Sequence, residues 1–484
     1  MSNIILTDEQ KQIINFEPYE NGTLLVSAYA GAAKTFTLFE YAKKRQHARI
    51  LYLAFNKAMA VEAQGKFKSL PNVDAKTIHS LAFRFFGVQY KHRLGNLRAY
   101  NLIEHKIVDS YAMATTVLEI FNAYVSSSSR CILEFVSNYN FKHVRNTNKI
   151  SEHVSCLWDK VTDIKEDIAV PHDVYLKLFQ LNNVIIPYDY ILVDEAQDIT
   201  DCVIDIVSQQ YAKKIFVGDS FQQIYSWKYA VNSLEKLKNS SEVLYLTKSF
   251  RCPQYVADYA NSYLELLGAE KEFKGTSEKV ETSNQTAAIA RCNGTLFDLA
   301  AELNLDKIKI HFLGGFWGYN FGTIVDIRRI IDQKTNYIKD PFLKQFSNIE
   351  KLEEYINDSN EIDLQTRLYI ARKYKNISYI YQKLKRNHTE NINDSDIVLT
   401  TAHKVKGQEF SSIHILDDFK NIYEESVVAT RENPVEFKKE ELNLLYVAMT
   451  RTRDKIECPD TYILSETQKS LINRKIQSQS LVLV

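Results

Sequence analysis

The sequence lacks several features that would assign it to common classes of protein. Its six cysteines are scattered and contain no C-x-x-C pair, which argues against a zinc site and a disulfide framework and favours a reducing compartment. It has no basic N-terminal leader and no uninterrupted apolar run of about 18 residues. We therefore expect a soluble, intracellular protein.

An excess of charge of either sign is also absent. Sixty lysines and arginines balance sixty aspartates and glutamates, so a polyanion would have to be bound by a local basic groove rather than by overall attraction. The 484 residues are too many for one compact core, and 45% of them are hydrophobic. We expect roughly two to four domains.

A phosphate-binding loop is predicted at residues 24–37, where an apolar run, small residues, a Lys-Thr pair and a helical segment (36–44) follow one another. Small residues let backbone N–H groups reach phosphate oxygens, while Lys34 offsets the phosphate charge and the Thr35 hydroxyl can bind Mg²⁺. The nucleotide-binding residues of this loop would be Ala30, Gly31, Ala32, Ala33, Lys34, Thr35 and Phe36.

The loop departs from the G-x-x-x-x-G-K-[ST] pattern, because Ala28 and Ala33 occupy its two glycine positions. Each alanine adds a methyl group and resists positive φ. An ordinary buried strand and turn explains the stretch equally well on local grounds. If the loop binds phosphate, we expect Ala33 to have a negative φ, with its methyl group pointing away from the phosphates.

Two further segments predict ligand groups at a sheet edge. The buried strand 190–193 runs into Asp194 and Glu195, and strand 214–217 runs into a segment that contains Gln222. Ligands of open α/β folds bind at the carboxyl ends of their strands. Near the N-terminus, Thr7 and Gln10 match a helix capping box, which explains both residues without a ligand.

The strands and helices alternate in two separate parts of the chain, and each part is interrupted by residues with helical periodicity. We predict an α/β fold with two parallel-sheet domains. The first comprises residues 1–89 and 188–247 with a helical insertion at 90–187, and the second comprises 248–313 and 394–484 with a shorter insertion at 314–393.

Collinear short segments resemble superfamily 1 helicases of the UvrD, Rep and PcrA type. They are A-F-N-K (54–57), T-I-H-S (77–80), V-D-E-A-Q-D (193–198), G-D-S-F-Q-Q-I-Y-S-W (218–227), T-T-A-H-K-V-K-G-Q-E-F (400–410) and N-L-L-Y-V-A-M-T-R (443–451). Within that group they most resemble the catalytic core of the F-box DNA helicases, and we expect no F-box before this core. The resemblance implies two RecA-like motor domains with ATP in the cleft between them.

The same resemblance implies roles for individual residues. Lys34 and Thr35 would hold the phosphates, Thr35 and Asp194 would hold Mg²⁺, and Glu195 would activate the attacking water. Further contacts to the nucleotide would come from the adenine reader Gln10, the γ-phosphate sensor Gln222, the adenine-stacking Phe250, the arginine fingers Arg251 and Arg451, and Glu409.

Residues that resemble the family's contacts to a DNA strand are Phe55, Asn56, Thr77, His79, Tyr225, Trp227 and His403. Aromatic rings there can stack on bases of any sequence. Structural alternatives remain: histidines such as these two are by themselves more often hydrogen-bonded structural residues, so their assignment rests on the resemblance. Tyr225 and Trp227 could be core aromatics, but the adjacent Gly218-Asp219 and Gln222 favour contact with DNA. Arg451 also fits the C-terminal end of a helix, where its charge meets the helix dipole.

The expected function is ATP-driven translocation on single-stranded DNA, with 3′ to 5′ polarity by resemblance, which unwinds duplexes or displaces bound proteins. Expected partners are single-stranded DNA, DNA junctions and repair or recombination proteins, and we expect a monomer that is cytoplasmic and nucleoid-associated, or nuclear in a eukaryote. Two alternatives stay open: a nucleotide-binding scaffold on DNA with little turnover, and a translocase that strips recombinase filaments and unwinds little.

Overall fold

Short runs of buried apolar residues form a parallel sheet in the first half of the chain. The computed structural model describes residues 5–139, 147–277, 285–303, 307–359 and 362–484, and the chain divides into two units, Met1–Thr247 and Lys248–Val484. The strands of the first unit are β1 (Thr23–Ala28), β2 (Ile50–Leu53), β3 (Val73–Lys76), β4 (Tyr190–Val193), β5 (Lys213–Gly218) and β6 (Glu242–Leu246). They pair in parallel in the order β3-β2-β4-β5-β1-β6.

Helices cover this sheet and also form a separate group between β3 and β4. The helices of the first unit are α1 (Asp8–Asn15), α2 (Lys34–Lys43), α3 (Lys57–Lys66), α4 (Ile78–Ala82), α5 (Ala99–Glu104), α6 (Tyr111–Ser126), α7 (Ile132–Asn138), α8 (Thr147–Thr162), α9 (His172–Leu181), α10 (Asp201–Ser208) and α11 (Ser233–Leu237). The segment between β3 and β4 contains α4–α9.

Neighbouring residues of β1 face two different cores. Leu24 and Val26 belong to one hydrophobic cluster together with residues of α1 and α2, whereas Leu25 belongs to a second cluster that includes Val117 of α6 and Leu157 of α8. Alternate side chains of a strand point to opposite faces of its sheet, and a parallel sheet is normally covered on both faces. The helical segment therefore packs as part of the first unit's own core.

The second unit contains another parallel sheet. Its strands are β7 (Lys248–Pro253), β8 (Lys274–Thr276), β9 (Thr286–Ala290), β10 (Ile310–Phe312), β11 (Ile397–Thr401), β12 (Phe410–Ile415), β13 (Val435–Phe437), β14 (Thr452–Glu457) and β15 (Leu481–Leu483). Five of them pair in parallel in the order β10-β11-β9-β12-β14, while β7 pairs with β8 and β13 with β15.

The helices of the second unit again include a group inserted between two strands. They are α12 (Gln254–Leu266), α13 (Asn293–Glu302), α14 (Gly322–Ile331), α15 (Ile349–Ser359), α16 (Ile362–Lys373), α17 (Ile377–Asn387), α18 (Ala402–Val405), α19 (Ile422–Val428), α20 (Lys439–Met449) and α21 (Glu466–Gln477). Helices α14–α17 lie between β10 and β11. Their residues Ile324, Leu368 and Leu384 share one cluster with Phe312 and Leu399 of the sheet.

The predicted fold class is confirmed: the structure is α/β, with two parallel sheets and a helical segment inside each unit. The domain boundaries proposed from the sequence stay a prediction. Helix α4 ends at Ala82, and the chain continues as a π-helix over Phe83–Gly87. No helix in the described ranges is both long and apolar enough to cross a bilayer.

Candidate functional site

The loop predicted to bind phosphate joins β1 to α2. Lys34 and Thr35 are the first two residues of this ten-residue helix. The first backbone N–H groups of a helix have no partner within the helix and carry the positive end of its dipole. The loop therefore presents the lysine, the threonine and a helix N-terminus together, which is an arrangement suited to an anion.

The expected backbone conformation of Ala33 is wrong. Ala33 has φ 58° and ψ 40°, in the left-handed region, and Gly31 also has a positive φ of 70°. The left-handed conformation costs an alanine about 1–2 kcal/mol, because its Cβ approaches the backbone. The surrounding loop, which must turn from a buried strand into α2, imposes this conformation despite the methyl group. Ala33 therefore keeps the shape for which glycine is the usual residue.

The acid pair predicted at the end of β4 lies directly beside this loop. Asp194 is buried, and its Oδ2 accepts a hydrogen bond from Thr35 Oγ1 at 3.3 Å and another from the Tyr52 hydroxyl. Its Oδ1 accepts from the backbone N–H of Glu195 at 2.9 Å. The structure thus joins Thr35 and Asp194, which are 159 positions apart in the chain.

Burial raises the pKa of Asp194, and the neighbouring carboxylate of Glu195 raises it further. The hydrogen bond from Tyr52 and the charge of Lys34 act in the opposite direction. A buried carboxylate under these conditions is stabilised in its charged form by a nearby cation. Because hydroxyl and carboxylate oxygens are ligands that Mg²⁺ prefers, Thr35 and Asp194 fit the predicted metal site.

Glu195, the predicted base, has an unusual backbone and two polar neighbours. Its φ is 51°, which for a residue other than glycine is a strained conformation that occurs preferentially at functional sites. Its Oε1 lies 3.9 Å from Lys34 Nζ, and its Oε2 accepts from Gln197 Nε2 at 2.6 Å. The structure therefore brings Lys34, Thr35, Asp194 and Glu195 together in the first unit.

Gln197 connects Glu195 to the predicted sensor Gln222. The Oε1 of Gln197 accepts from the backbone N–H of Asp219 at 3.1 Å, and Asp219 Oδ2 accepts from Gln222 Nε2 at 2.7 Å. A Cβ atom at Gly218 would lie 2.3 Å from Gln197 Oε1, so glycine is needed there to admit the glutamine. Sequence reasoning assigned no role to Gln197, although it lies within the quoted V-D-E-A-Q-D segment.

Tyr52 is a second residue that sequence reasoning missed. It is the one hydroxyl-bearing residue of β2, whose other residues are isoleucine and leucine, and its hydroxyl donates to Asp194. A polar group within a fully buried strand needs a partner, which was the available indication of its role.

Gln10 forms hydrogen bonds to other residues of the first unit. Its Oε1 accepts from Thr7 N–H at 3.0 Å, its N–H donates to Thr7 Oγ1 at 3.2 Å, and its Nε2 donates to Thr37 Oγ1 of α2 at 3.3 Å. The predicted capping box is confirmed. The role of Gln10 in reading adenine stays a prediction.

Three of the predicted strand-contacting aromatics lie together in the first unit. The rings of Phe55 and Tyr225 are stacked with 6.0 Å between their centroids and 11° between their planes, and Tyr225 lies 6.5 Å from Trp227. Trp227 is 64% exposed, and Lys228 Nζ lies 4.8 Å from its ring. A core position is therefore excluded for Trp227.

These rings line a groove of about 480 Å³. Asp173 also lines it and lies with Oδ1 3.1 Å from His79 Nε2. Two other predicted contact residues cap helices, since Asn56 Oδ1 accepts from Met59 N–H and Thr77 Oγ1 accepts from Ser80 N–H. Whether these residues also contact DNA stays a prediction.

In the second unit, Arg251 is held by two partners. Its Nε donates to Glu409 Oε2 at 2.7 Å and its Nη1 donates to the Thr450 carbonyl at 3.2 Å. Glu409 also accepts a hydrogen bond from Arg453, a residue that the sequence reasoning did not single out.

Arg451 is buried, and its Nε donates to the Val447 carbonyl at 2.7 Å near the end of α20. This contact matches the structural alternative for Arg451. By contrast, Phe250 is half-exposed, with Lys248 Nζ 5.6 Å from its ring, and His403 is a half-buried residue of α18. The roles assigned to these three residues stay predictions.

A family model described as the UvrD-like helicase C-terminal domain matches residues 174–457, which is more than half of the chain. The chain belongs to the UvrD-like helicase family. A second model, described as an AAA domain, matches residues 10–228. The predicted resemblance is confirmed, and each of the two parallel sheets belongs to one of two RecA-like motor domains.

Curated relatives agree with this UvrD-like assignment. F-box DNA helicase 1 of Gallus gallus is 31% identical over 94% of this chain and 49% of its own length. F-box DNA helicase protein 1 of Schizosaccharomyces pombe is 29% identical over 94% of this chain and 57% of its own length. ATP-dependent DNA helicase PcrA of Leuconostoc citreum is 25% identical over 50% of this chain and 37% of its own length. The chain thus spans about half the length of the two F-box relatives.

Proposed function

We propose that the chain is an ATP hydrolase that moves along single-stranded DNA, with 3′ to 5′ polarity, and unwinds duplexes or displaces bound proteins. The observation that carries this proposal is the convergence of Lys34 and Thr35 with Asp194 and Glu195 in the first unit. A site that only bound nucleotide would need the phosphate contacts, but it would not need a second carboxylate beside them.

Each residue of this group has a chemical task in the proposed reaction. Lys34 offsets charge on the β and γ phosphates, and Glu195 accepts a proton from the attacking water. Thr35 and Asp194 would hold Mg²⁺, which would neutralise charge on the phosphate oxygens. Gln197 keeps the carboxylate of Glu195 in place and couples it to Gln222 through Asp219. The arginine-finger roles of Arg251 and Arg451 rest on the resemblance.

The aromatic group of Phe55, Tyr225 and Trp227 supports single-stranded DNA as the track. Base stacking on aromatic rings does not depend on sequence, as a translocating protein requires. Asp219 and Gln222 lie in the same short segment as Tyr225 and Trp227, so a strand bound on these rings would be close in the chain to the residues that Gln197 connects to Glu195. This proximity supports coupling between DNA binding and hydrolysis.

A nucleotide-binding scaffold is the other candidate, and the altered loop was the reason to consider it. Because Ala33 adopts the left-handed conformation, the loop keeps its shape without glycine, which weakens that reason. A translocase that strips recombinase filaments would use the same site, and no feature of the described residues favours it over an unwinding enzyme.

ATP hydrolysis by the wild-type chain, measured with and without single-stranded DNA, tests the proposal. We expect hydrolysis that DNA stimulates, with the Lys34→Ala variant as the background. Partial duplexes with a 3′ or a 5′ single-stranded tail then test the polarity, and only the 3′-tailed substrate should be unwound. Wild-type hydrolysis no higher than that of Lys34→Ala, with DNA binding intact, would refute the motor and support the scaffold.

A further inference from the structure

Three side chains that can bind a metal ion lie together in the helical segment of the first unit. His105 directly follows α5, and Glu166 and Asp167 lie in the loop between α8 and α9. One nitrogen or oxygen atom from each residue lies within 4.8 Å of the other two. Within the ranges that the structure describes, no other set of three histidine, cysteine or acidic side chains comes this close together. One imidazole with two carboxylates is a donor set that suits Zn²⁺.

The spacing of two of these atoms matches what a shared ion requires. His105 Nδ1 lies 3.6 Å from Asp167 Oδ1. Ligand atoms about 2.0–2.2 Å from a tetrahedral Zn²⁺ lie about 3.3–3.6 Å from one another. The carboxylate of Glu166, which is within 4.8 Å of both atoms, can close the remaining gap by rotation of its side chain. The three residues can therefore bind one ion without a change in the backbone.

The polar groups of His105 and Asp167 lack hydrogen bonds that would explain their arrangement. The side chain of His105 is only 16% exposed, and its distance of 3.6 Å from Asp167 exceeds that of a hydrogen bond. In the described part of the chain, neither the ring of His105 nor the carboxylate of Asp167 forms any other polar contact. Polar side chains that are largely buried normally have a partner. A bound ion would supply one to both residues.

The backbone that carries the two carboxylates is fixed by a buried arginine. Arg93 Nη1 donates to the Ile168 carbonyl at 3.2 Å, and its Nη2 donates to the Val161 carbonyl at 3.1 Å. The backbone N–H of Val170 donates to the Arg93 carbonyl at 2.9 Å. A metal site needs such support, because its ligands must be held close to their binding geometry. The side chain of Asp167 is 92% exposed, so an ion can enter from the solvent.

Lys160 is the positive group that competes with a metal ion here. Its Nζ donates to Glu166 Oε1 at 2.9 Å, which offsets the charge of that carboxylate but does not occupy its second oxygen. Two carboxylates and one ammonium group leave a net negative charge beside the imidazole. The group can therefore still attract a cation, although more weakly than it would without Lys160.

We propose that His105, Glu166 and Asp167 bind a structural Zn²⁺ ion, with water as a further ligand. This site shares no residue with the phosphate loop, the acid pair or the aromatic group. The ion would join the end of α5 to the loop after α8. Both segments lead into the groove of about 480 Å³, because Leu97 before α5 and Pro171 after the loop are among the residues that line it. The ion would therefore hold together two of the segments that form this groove.

Calorimetric titration of the full chain with Zn²⁺, in excess Mg²⁺ and without nucleotide, tests the proposal. The exposed thiols of Cys131 and Cys156 also bind zinc, so the parent for this experiment carries Cys131→Ser and Cys156→Ser. In this parent, His105→Asn and Asp167→Asn should each raise the Kd for Zn²⁺ about tenfold or more. Asp167→Asn guards against a folding defect, because the side chain is exposed to solvent. Lys160→Met should lower the Kd, since it removes the competing ammonium group.

His92→Asn is the matched control, because His92 is an exposed histidine of the same helical segment that belongs to no such group. Zn²⁺ should raise the Tm of the parent and of His92→Asn but not that of His105→Asn. Equal zinc affinities for His105→Asn and His92→Asn would indicate an adventitious ion only and would overturn the proposal. Absence of zinc binding by the parent would overturn it as well. Displacement of Zn²⁺ by excess Mg²⁺ would show that the carboxylates bind cations without the imidazole, and it would also contradict the proposed site.

Discussion

Replacing Ala33 with glycine should stabilise the first unit without changing the shape of the phosphate loop. Ala33 has φ 58°, which costs an alanine about 1–2 kcal/mol relative to glycine. Glycine, in turn, makes the unfolded chain more flexible, at a cost of about 0.4–1 kcal/mol. We expect a net gain of about 0.5–1 kcal/mol in the free energy of unfolding. For a unit of 247 residues this gain corresponds to a rise in Tm of about 1–4 °C.

Two control variants test whether Ala33→Gly changes the free energy of unfolding in the expected direction. Gln333 has the same φ of 58° on an exposed loop after α14, so Gln333→Gly should give a similar gain in the second unit. Ala32 is buried and is absent from the positive-φ residues, so Ala32→Gly should lose about 1–2 kcal/mol from the lost methyl packing and the added flexibility. Thermal unfolding followed by circular dichroism measures all three variants.

ATP hydrolysis completes this test. Because the loop of the wild type already has the backbone that glycine would adopt, Ala33→Gly should leave DNA-stimulated turnover nearly unchanged, whereas Lys34→Ala should nearly abolish it. A drop in Tm for Ala33→Gly like that for Ala32→Gly would refute the left-handed assignment. A large gain of turnover in Ala33→Gly over an inactive wild type would refute the argument that the loop shape is kept.

Four other substitutions test different parts of the molecule. Glu195→Gln should keep ATP binding and lose turnover, because it removes the base but leaves the phosphate contacts; wild-type turnover in this variant would exclude Glu195 as the base. Trp227→Ala should weaken binding to single-stranded DNA by about 1–3 kcal/mol and leave hydrolysis without DNA unchanged, so equal losses in both assays would indicate a structural role. Tyr52→Phe removes the hydrogen bond by which the Tyr52 hydroxyl positions Asp194. It should raise the Mg²⁺ concentration needed for nucleotide binding about tenfold or more, and an unchanged Mg²⁺ titration would contradict this role of Tyr52. Burial lowers the pKa of Lys177 from 10.5 to about 8, so between these values the unfolded chain holds a proton that the folded chain has released. The free energy of unfolding of the wild type should therefore rise with pH across that window relative to Lys177→Met, and parallel pH profiles in denaturant titrations would contradict this.

The segments that form the candidate site of the first unit were predictable from the sequence, because their polar residues directly follow buried strands. Strand β4 was predicted with its observed bounds, and Asp194 and Glu195 follow it directly. Parallel strands end at one edge of their sheet, so the acid pair and the loop after β1 had to lie near each other. By contrast, β3 and β14 were not predicted, because each is an edge strand of its sheet, half or more of its residues are not buried, and neither has an apolar run.

The sequence by itself determined the alternation of the buried strands with helices, the family and the residue types at the phosphate loop, because periodicity and short motifs are local properties. Only the tertiary structure decided which distant groups meet. Tyr52 reaches Asp194 across 142 positions of the chain, and no local pattern encodes that hydrogen bond. The positive φ of Ala33 and the exposure of Trp227 were likewise decided by tertiary structure, because the packing around a residue can impose a backbone conformation that its side chain disfavours and sets which rings stay in contact with water.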